Sequence, residues 1–204
     1  MAERSEFRIA LSGGNTPAPV YSRLATETRD FPWTKVRFTF GDERCVPSDD
    51  PQSNFKMARE NLFVPADVPE KSIMRMRGEI DPHVAAHEYE QQLEAIATQH
   101  DESIYRHDLI LLGLGPDGHT ASLFPGTAAL EDTTRTVAAN FVPKLNSWRL
   151  TFTFPLINDA RNILFLVGAS KNPELIDGVL AGDPRFPAAR VNPIAGEVTW
   201  MIGE

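Results

Sequence analysis

The stretch at residues 108–126 constrains the fold more than any other part of the sequence. It begins with four apolar residues, 109–112, the pattern of a strand that is buried on both faces of a parallel sheet. Three glycines follow and free the backbone for a loop, on which Asp117 and His119 stand two positions apart. Open α/β sheets place their functional loops at the carboxyl ends of strands. The stretch therefore predicts a strand, a glycine-rich loop and a site that contains His119.

A second unit of strand, loop and helix lies near the start of the chain. Residues 8–12 form a short apolar strand pattern, and residues 17–25 carry apolar side chains at helical spacing. Thr16 suits the N-cap of that helix and Pro17 suits its first position. Such a loop directs backbone N–H groups and the positive helix end toward one point, which suits a phosphate. Its residues are Gly13, Gly14, Asn15 and Thr16, for which a tight turn without a ligand is the alternative interpretation.

Polar residues also follow a third predicted strand, at residues 36–40. Directly after it come three charged side chains, Asp42, Glu43 and Arg44. A solvated turn is the alternative interpretation of such a group. Two further cations, Arg149 and Lys171, stand near later strand ends. If these groups converge on His119, they form a pocket for a phosphorylated small molecule on which a proton must be moved.

The order of the predicted elements indicates an α/β fold. Strand patterns alternate with helical patterns, and three strand ends carry glycine together with polar residues. This order predicts a doubly wound, mostly parallel sheet with helices on both faces, in a single domain over residues 1–204. The other strands are predicted at residues 72–76, 134–138, 149–154, 162–167 and 197–202, and the other helices at 54–62, at 82–99 and after Lys171.

Charge and composition exclude several classes of partner. The net charge of −8 disfavours general nucleic-acid binding, because affinity for phosphate backbones comes from clustered Lys and Arg, and the sequence has no such stripe. No apolar run approaches the roughly 18 residues that cross a bilayer, so no membrane partner is expected. The N-terminus lacks the apolar core of a secretory signal, and the single cysteine, Cys45, cannot form an internal disulfide. A cytoplasmic protein is therefore expected.

Three histidines, His83, His87 and His100, lie on or directly after the helix predicted at residues 82–99. An amphipathic surface helix explains them without a ligand role, so we expect no metal site there.

Five blocks of the sequence together resemble the 6-phosphogluconolactonase family, in the order in which that family has them. The most specific block contains Gly-Pro-Asp-Gly-His-Thr-Ala-Ser-Leu-Phe-Pro-Gly at residues 115–126. The other four blocks are residues 11–17, residues 41–47 with Ser53 and Asn54, residues 149–155 and residues 165–171. The resemblance covers nearly the whole chain.

The resemblance implies hydrolysis of 6-phospho-D-glucono-1,5-lactone to 6-phospho-D-gluconate, in the oxidative pentose phosphate pathway, without a metal or an organic cofactor. In that family the histidine that matches His119 is the proposed general base, and Asp117 is placed to orient or stabilise its imidazole. Arg44, Arg149 and Lys171 would bind the phosphate together with the glycine loop, although spacing leaves open which cation polarises the carbonyl oxygen. The substrate-binding residues implied are Gly13, Gly14, Asn15, Thr16, Asp42, Glu43, Arg44, Asn54, Gly118, Arg149 and Lys171.

The sequence departs from the family pattern in two places. The family usually has another strand and helix before the first glycine loop, whereas only about seven residues precede that strand here. We expect the missing piece to expose an edge strand and apolar surface, so that association into a homodimer is one expectation. Residues 145–148 also lack the proline-rich character often seen there, which leaves the placement of Arg149 open.

Two rival functions remain at this stage. Glucosamine-6-phosphate deaminase/isomerase is similar in its glycine loop and its Asp-Gly-His segment, but it carries a glutamate after the histidine where residues 122–125 here have no carboxylate. A non-catalytic sugar-phosphate sensor is the other rival. The sequence shows no helix-turn-helix, and the retained pair of Asp117 and His119 favours catalysis.

Overall fold

The computed structural model describes residues 6–28 and 30–203, which form eight strands and five α-helices. The strands are β1 (Phe7–Leu11), β2 (Val36–Phe40), β3 (Asp42–Arg44), β4 (Leu109–Gly113), β5 (Val137–Val142), β6 (Ser147–Phe152), β7 (Asn162–Val167) and β8 (Glu197–Ile202). The helices are α1 (Pro17–Glu27), α2 (Asn54–Ala58), α3 (Pro82–Gln99), α4 (Phe154–Ile157) and α5 (Pro173–Leu180). A π-helical turn, Arg59–Phe63, continues α2.

The larger sheet has five parallel strands in the order β2-β1-β4-β7-β8. After β1 the chain adds β2 on one side, and it later returns to the other side of β1 with β4. The strand order therefore reverses between β1 and β4, which is where open α/β sheets form ligand clefts. The loops that follow these two strands are the glycine loop at residues 12–16 and the loop that carries His119.

Helices cover both faces of this sheet, as the sequence predicts. Successive residues of a strand point to opposite faces, so Ile110 and Leu112 join a core with α3 and α5, while Leu111 joins a core with α1 and α2. Burial on both faces explains why β4 is an uninterrupted apolar run. The prediction of a mostly parallel α/β sheet is confirmed.

A second, antiparallel sheet has the order β3-β6-β5. The chain leaves the parallel sheet at Gly41 and enters β3, so that Asp42 and Arg44 are delivered to the cleft by a different sheet. Helix α3 lies against this second sheet, where the rings of Tyr89 and Phe152 are 6.4 Å apart. The sequence pattern did not predict this arrangement, because β3 is only three charged residues long.

Three predicted elements differ from the structure. Residues 72–76 do not form a strand, since their pairing with β2 is limited to a bridge between Phe38 and Ile73 and a hydrogen bond from Met74 N to Phe38 O. The strand predicted at 134–138 begins at Val137, because Asp132 holds the backbone of residues 134 and 135 in a turn. The strand predicted at 149–154 is β6, which starts and ends two residues earlier and is followed by α4.

Within residues 6–28 and 30–203, none of the helices has the length and apolar character needed to cross a membrane.

Candidate active site

A cleft of about 570 Å³ opens at the carboxyl ends of β1 and β4. The predicted site residues that line it are Gly13, Gly14, Asn15, Thr16, Asp42, Arg44, His119, Arg149 and Lys171. Four other predicted residues do not form part of the cleft surface: Glu43, Asn54, Asp117 and Gly118. The structure therefore brings together the glycine loop, the imidazole and three of the predicted cations.

The imidazole of His119 is held on three sides. Its Nδ1 lies 2.5 Å from Asp117 Oδ1, which is a hydrogen bond. Its ring stacks on Phe124 with 3.9 Å between centroids. A side chain on Gly115 would overlap the imidazole, so the ring can occupy this position only because residue 115 has no Cβ. These contacts leave Nε2 as the nitrogen available for proton transfer in the cleft.

The loop around His119 is a tight turn in which Gly118 has a conformational role. Gly118 N donates to Gly115 O, and Gly118 adopts φ 76°, which L-residues rarely do. The ring of Phe186 occupies the space that a Cβ on Gly118 would need. Gly118 thus shapes the loop from outside the lining of the cleft, and its role in substrate binding stays a prediction.

Burial and charge set the pKa values of the Asp117–His119 pair. Burial lowers the pKa of His119, and its hydrogen bond to Asp117 and the charges of Asp117 and Asp42 only partly oppose that effect. Burial would raise the pKa of Asp117, but hydrogen bonds from Lys144 and His119 outweigh it and lower this pKa to about 2. At neutral pH the carboxylate is therefore ionised and the imidazole is neutral, which is the state a general base requires.

Asp42 lines the cleft and is fixed by two hydrogen bonds. Its Oδ2 accepts from Ser122 Oγ at 2.7 Å, and its Oδ1 accepts from Asn54 Nδ2 at 3.0 Å. Asn54 is buried, and its amide lies where a Cβ on Gly13 would be. Asn54 thus contacts the glycine loop and Asp42 from behind, which is a different place from the substrate-binding one that the sequence predicts.

Glu43 is buried and points away from the cleft. Its carboxylate accepts backbone N–H bonds from Arg44, Asn54 and Phe55, at 2.7, 2.8 and 2.8 Å, and a hydroxyl bond from Ser53. Burial raises the pKa of Glu43, while the three backbone bonds oppose that effect. The carboxylate joins β3 to the start of α2, so its position is that of a structural group.

The loop before α1 lines the cleft with Gly13, Gly14, Asn15 and Thr16. Thr16 precedes the helix, as predicted, but its side chain makes no capping hydrogen bond. Pro17 and Pro19 have no backbone N–H, so the loop, more than the first turn of the helix, is the source of N–H groups for an anion. Gly14 adopts φ 99°, which turns the loop, and Tyr21 anchors the strand end by bonding both the N–H and the carbonyl of Ser12.

Four cations line the cleft, and their partners differ. Arg44 and Arg149 face each other across β3 and β6; Arg149 donates to Ser147 Oγ and Trp148 O, at 2.6 and 3.0 Å. Burial, and then Arg44, lower the pKa of Arg149. Lys144 pairs with Asp117, whereas the ammonium of Lys171 has no ion-pair partner among residues 6–28 and 30–203. The sequence analysis missed Lys144, because its turn carried no signal beyond the charge itself.

The described part of the chain contains no group of three or more His, Cys, Asp or Glu side chains placed to hold a metal ion.

The fold and the cleft define an α/β protein with a glycine loop before its first helix and a histidine–carboxylate pair at the switch point of its sheet. Residues 1–200 match the family described as Glucosamine-6-phosphate isomerases/6-phosphogluconolactonase, and the chain belongs to this family.

Individual relatives agree with this assignment. The chain is 42% identical over 208 residues to a 6-phosphogluconolactonase of Synechocystis sp., a match that covers 100% of the chain and 85% of the relative. Among solved structures, the 6-phosphogluconolactonase of Trypanosoma brucei matches with a TM-score of 0.86 at 31% identity, over 98% of this chain and 85% of that one. The 6-phosphogluconolactonase of Thermotoga maritima matches with a TM-score of 0.85 at 30% identity, over 99% and 87%.

The Asp117–His119 hydrogen bond generates a test by titration. Because Asp117 favours the protonated imidazole, Asp117→Asn should lower the pKa of His119 further below 6.5. The measurement is an NMR titration of the imidazole Cε1–H signal, assigned by its loss in His119→Gln. A signal that titrates at an unchanged or higher pH in Asp117→Asn would show that the carboxylate does not stabilise the imidazolium.

Proposed function

We propose that this chain hydrolyses 6-phospho-D-glucono-1,5-lactone to 6-phospho-D-gluconate, with His119 as general base. The observation that carries the proposal is the arrangement of one cleft, in which a neutral imidazole bonded to Asp117 shares a cavity with an uncapped helix N-terminus and several cations. The similarity to 6-phosphogluconolactonases of other organisms supports the same reaction.

In the proposed reaction, Nε2 of His119 takes a proton from water as the water oxygen bonds to C1 of the lactone. Asp117 holds Nδ1 and stabilises the imidazolium that forms. The tetrahedral intermediate then collapses, the bond from C1 to the ring oxygen breaks, and the imidazolium returns its proton to that oxygen. The carboxylic acid product ionises at neutral pH and releases its proton to solvent.

Two regions of the cleft would bind the two ends of the substrate. We assign the phosphate to the loop of Gly13, Gly14, Asn15 and Thr16 together with Lys171, because these residues line the same cleft and the Lys171 ammonium has no ion-pair partner in the described part of the chain. We assign the developing oxyanion at C1 to Arg149, helped by Arg44, since guanidinium groups bind anionic oxygens in a fixed geometry. Asp42 remains to accept hydrogen bonds from the hydroxyl groups of the sugar.

The rival functions fit the cleft less well. An isomerase or deaminase needs a further acid near the histidine for ring opening, and the segment after His119 supplies Ser122 and Phe124 to the cleft instead of a carboxylate. A sensor that only binds would have no use for an imidazole kept neutral next to an ionised aspartate.

The role of His119 is tested by substitution. His119→Ala should lower the enzymatic rate of lactone opening by about 100-fold or more, because the general base is lost. The rate is measured by acid release and corrected for spontaneous hydrolysis, while calorimetric titration with 6-phosphogluconate should show that binding is largely retained. His87→Ala, a matched change on the exposed side of α3, should keep the full rate. A full rate in His119→Ala would rule out the proposed mechanism.

The role of Lys171 is tested by comparing two substrates. Lys171→Met should lower kcat/KM for the phosphorylated lactone by about 10- to 100-fold, the value of one charge-assisted hydrogen bond. It should leave the slow opening of unphosphorylated glucono-1,5-lactone nearly unchanged, since that substrate has no phosphate for Lys171 to bind. An equal loss with both lactones would place Lys171 at the reacting carbon instead of at the phosphate.

We further propose a cytosolic location and a homodimer. The location is supported by the single cysteine, which leaves no internal disulfide to form. The dimer is supported by apolar side chains exposed on or near edge strand β8, namely Ile194, Met201 and Ile202. Sedimentation velocity at micromolar concentration should give twice the mass of 22.7 kDa, and a monomer at all concentrations would refute the dimer.

A further inference from the structure

Lys144 connects a separate part of the fold to the catalytic pair. It lies on the turn Pro143–Leu145 between β5 and β6, and Asn146 closes that turn in the left-handed conformation with φ 44°. Its Nζ donates to Asp117 Oδ2, while Asp117 Oδ1 bonds His119 Nδ1. Lysine, aspartate and histidine therefore form a continuous row of hydrogen bonds that ends at the cleft.

Lys144 also contacts the second support of the imidazole. Its Nζ lies 4.5 Å from the centre of the Phe124 ring, and that ring stacks on His119. A cation over an aromatic ring is attracted by it, so the lysine has two partners that both touch the histidine. Removal of Lys144 would loosen the carboxylate and the stacking ring together.

The charges around His119 show why a cation is needed there. Asp117 on the same loop and Asp42 on β3 both favour the protonated imidazole, whereas Lys144 disfavours it. Arg149 on β6 lines the same cleft. Burial is the main cause that keeps the imidazole neutral, and the charge of Lys144 acts in the same direction, against the two carboxylates. A protonated imidazole cannot accept a proton from water, so both effects favour the state that a general base requires.

We propose that Lys144 is a positioning residue of this site: it fixes Asp117 and the Phe124 ring against His119, and it offsets part of the carboxylate charge that would otherwise favour protonation of the imidazole. The catalytic benefit of this arrangement rests on the proposed lactone hydrolysis. The effect of Lys144 on the pKa of His119 can be measured in the free protein without the lactone.

The pH dependence of Lys144 variants tests the proposal. In Lys144→Met the charge of Asp117 is no longer offset, so the pKa of His119 should rise. The acidic limb of the pH profile of kcat/KM should then move to higher pH, and the rate should fall most at low pH. Lys144→Arg should return the acidic limb to the pH at which it lies in the unmodified protein. Lys71→Met, on the exposed turn Glu70–Ser72, should leave it unchanged.

An NMR titration of the His119 imidazole in the free protein separates this proposal from the proposed reaction. A raised pKa in Lys144→Met supports the role of the lysine, and if the unmodified chain opened no lactone, that result would count against the reaction alone. An unshifted imidazole overturns the proposal. A raised KM with an unmoved acidic limb also overturns it, since Lys144 would then hold substrate. A rate loss equal at every pH, with a lower melting temperature, would reduce the lysine to a structural role and overturn it too.

Discussion

The reversal of strand order between β1 and β4 is the constraint on which the rest of the structure depends. The connection from β1 runs to one side of the sheet and the chain from β4 runs to the other, so no connection covers the gap between their carboxyl ends. The glycine loop opens into this gap from β1, and the loop of His119 opens into it from β4. One further wall comes from the end of β7 and the loop after it, which carries Lys171. The others come from β3, from β6 and from the turn at Lys144, all of which belong to or adjoin the antiparallel sheet. Two sheets with different strand directions thus meet at one cavity.

The positive charges in the cleft are brought together because these segments lie side by side. The chain as a whole carries a net charge of −8, yet the cavity collects Arg44, Lys144, Arg149 and Lys171. Local cations therefore oppose the field of the whole molecule at one place. Burial keeps the imidazole neutral there, while the bonds to Asp117 keep that carboxylate ionised. Lys144 adjoins the base through Asp117, whereas Arg44, Arg149 and Lys171 reach the cleft from other segments of the chain, so water activation and anion binding can coexist.

The sequence allowed the parallel sheet and the central pair to be predicted, and the reasons are local. β4 is a continuous apolar run because both of its faces are buried, and the glycines after it mark the turn that carries Asp117 and His119. Other predictions failed or missed because they depend on distant contacts. β3 is three charged residues whose strand character comes only from pairing with β6. Glu43 and Asn54 belong to the same motif as Asp42, but burial behind the wall directs their polar atoms to backbone groups and to Asp42. Lys144 acts through a carboxylate 27 positions away in the chain, and spacing along the sequence cannot show such a pair.

The opposition of Arg44 and Arg149 across β3 and β6 has a consequence for selectivity. Like charges directly opposite each other in an antiparallel pair repel, at a cost of up to about 1 kcal/mol. An anionic group that binds between them gains two partners and also removes that repulsion. A neutral oxygen at the same position gains neither benefit. The pair therefore favours a group that carries or develops negative charge over a neutral one of the same shape.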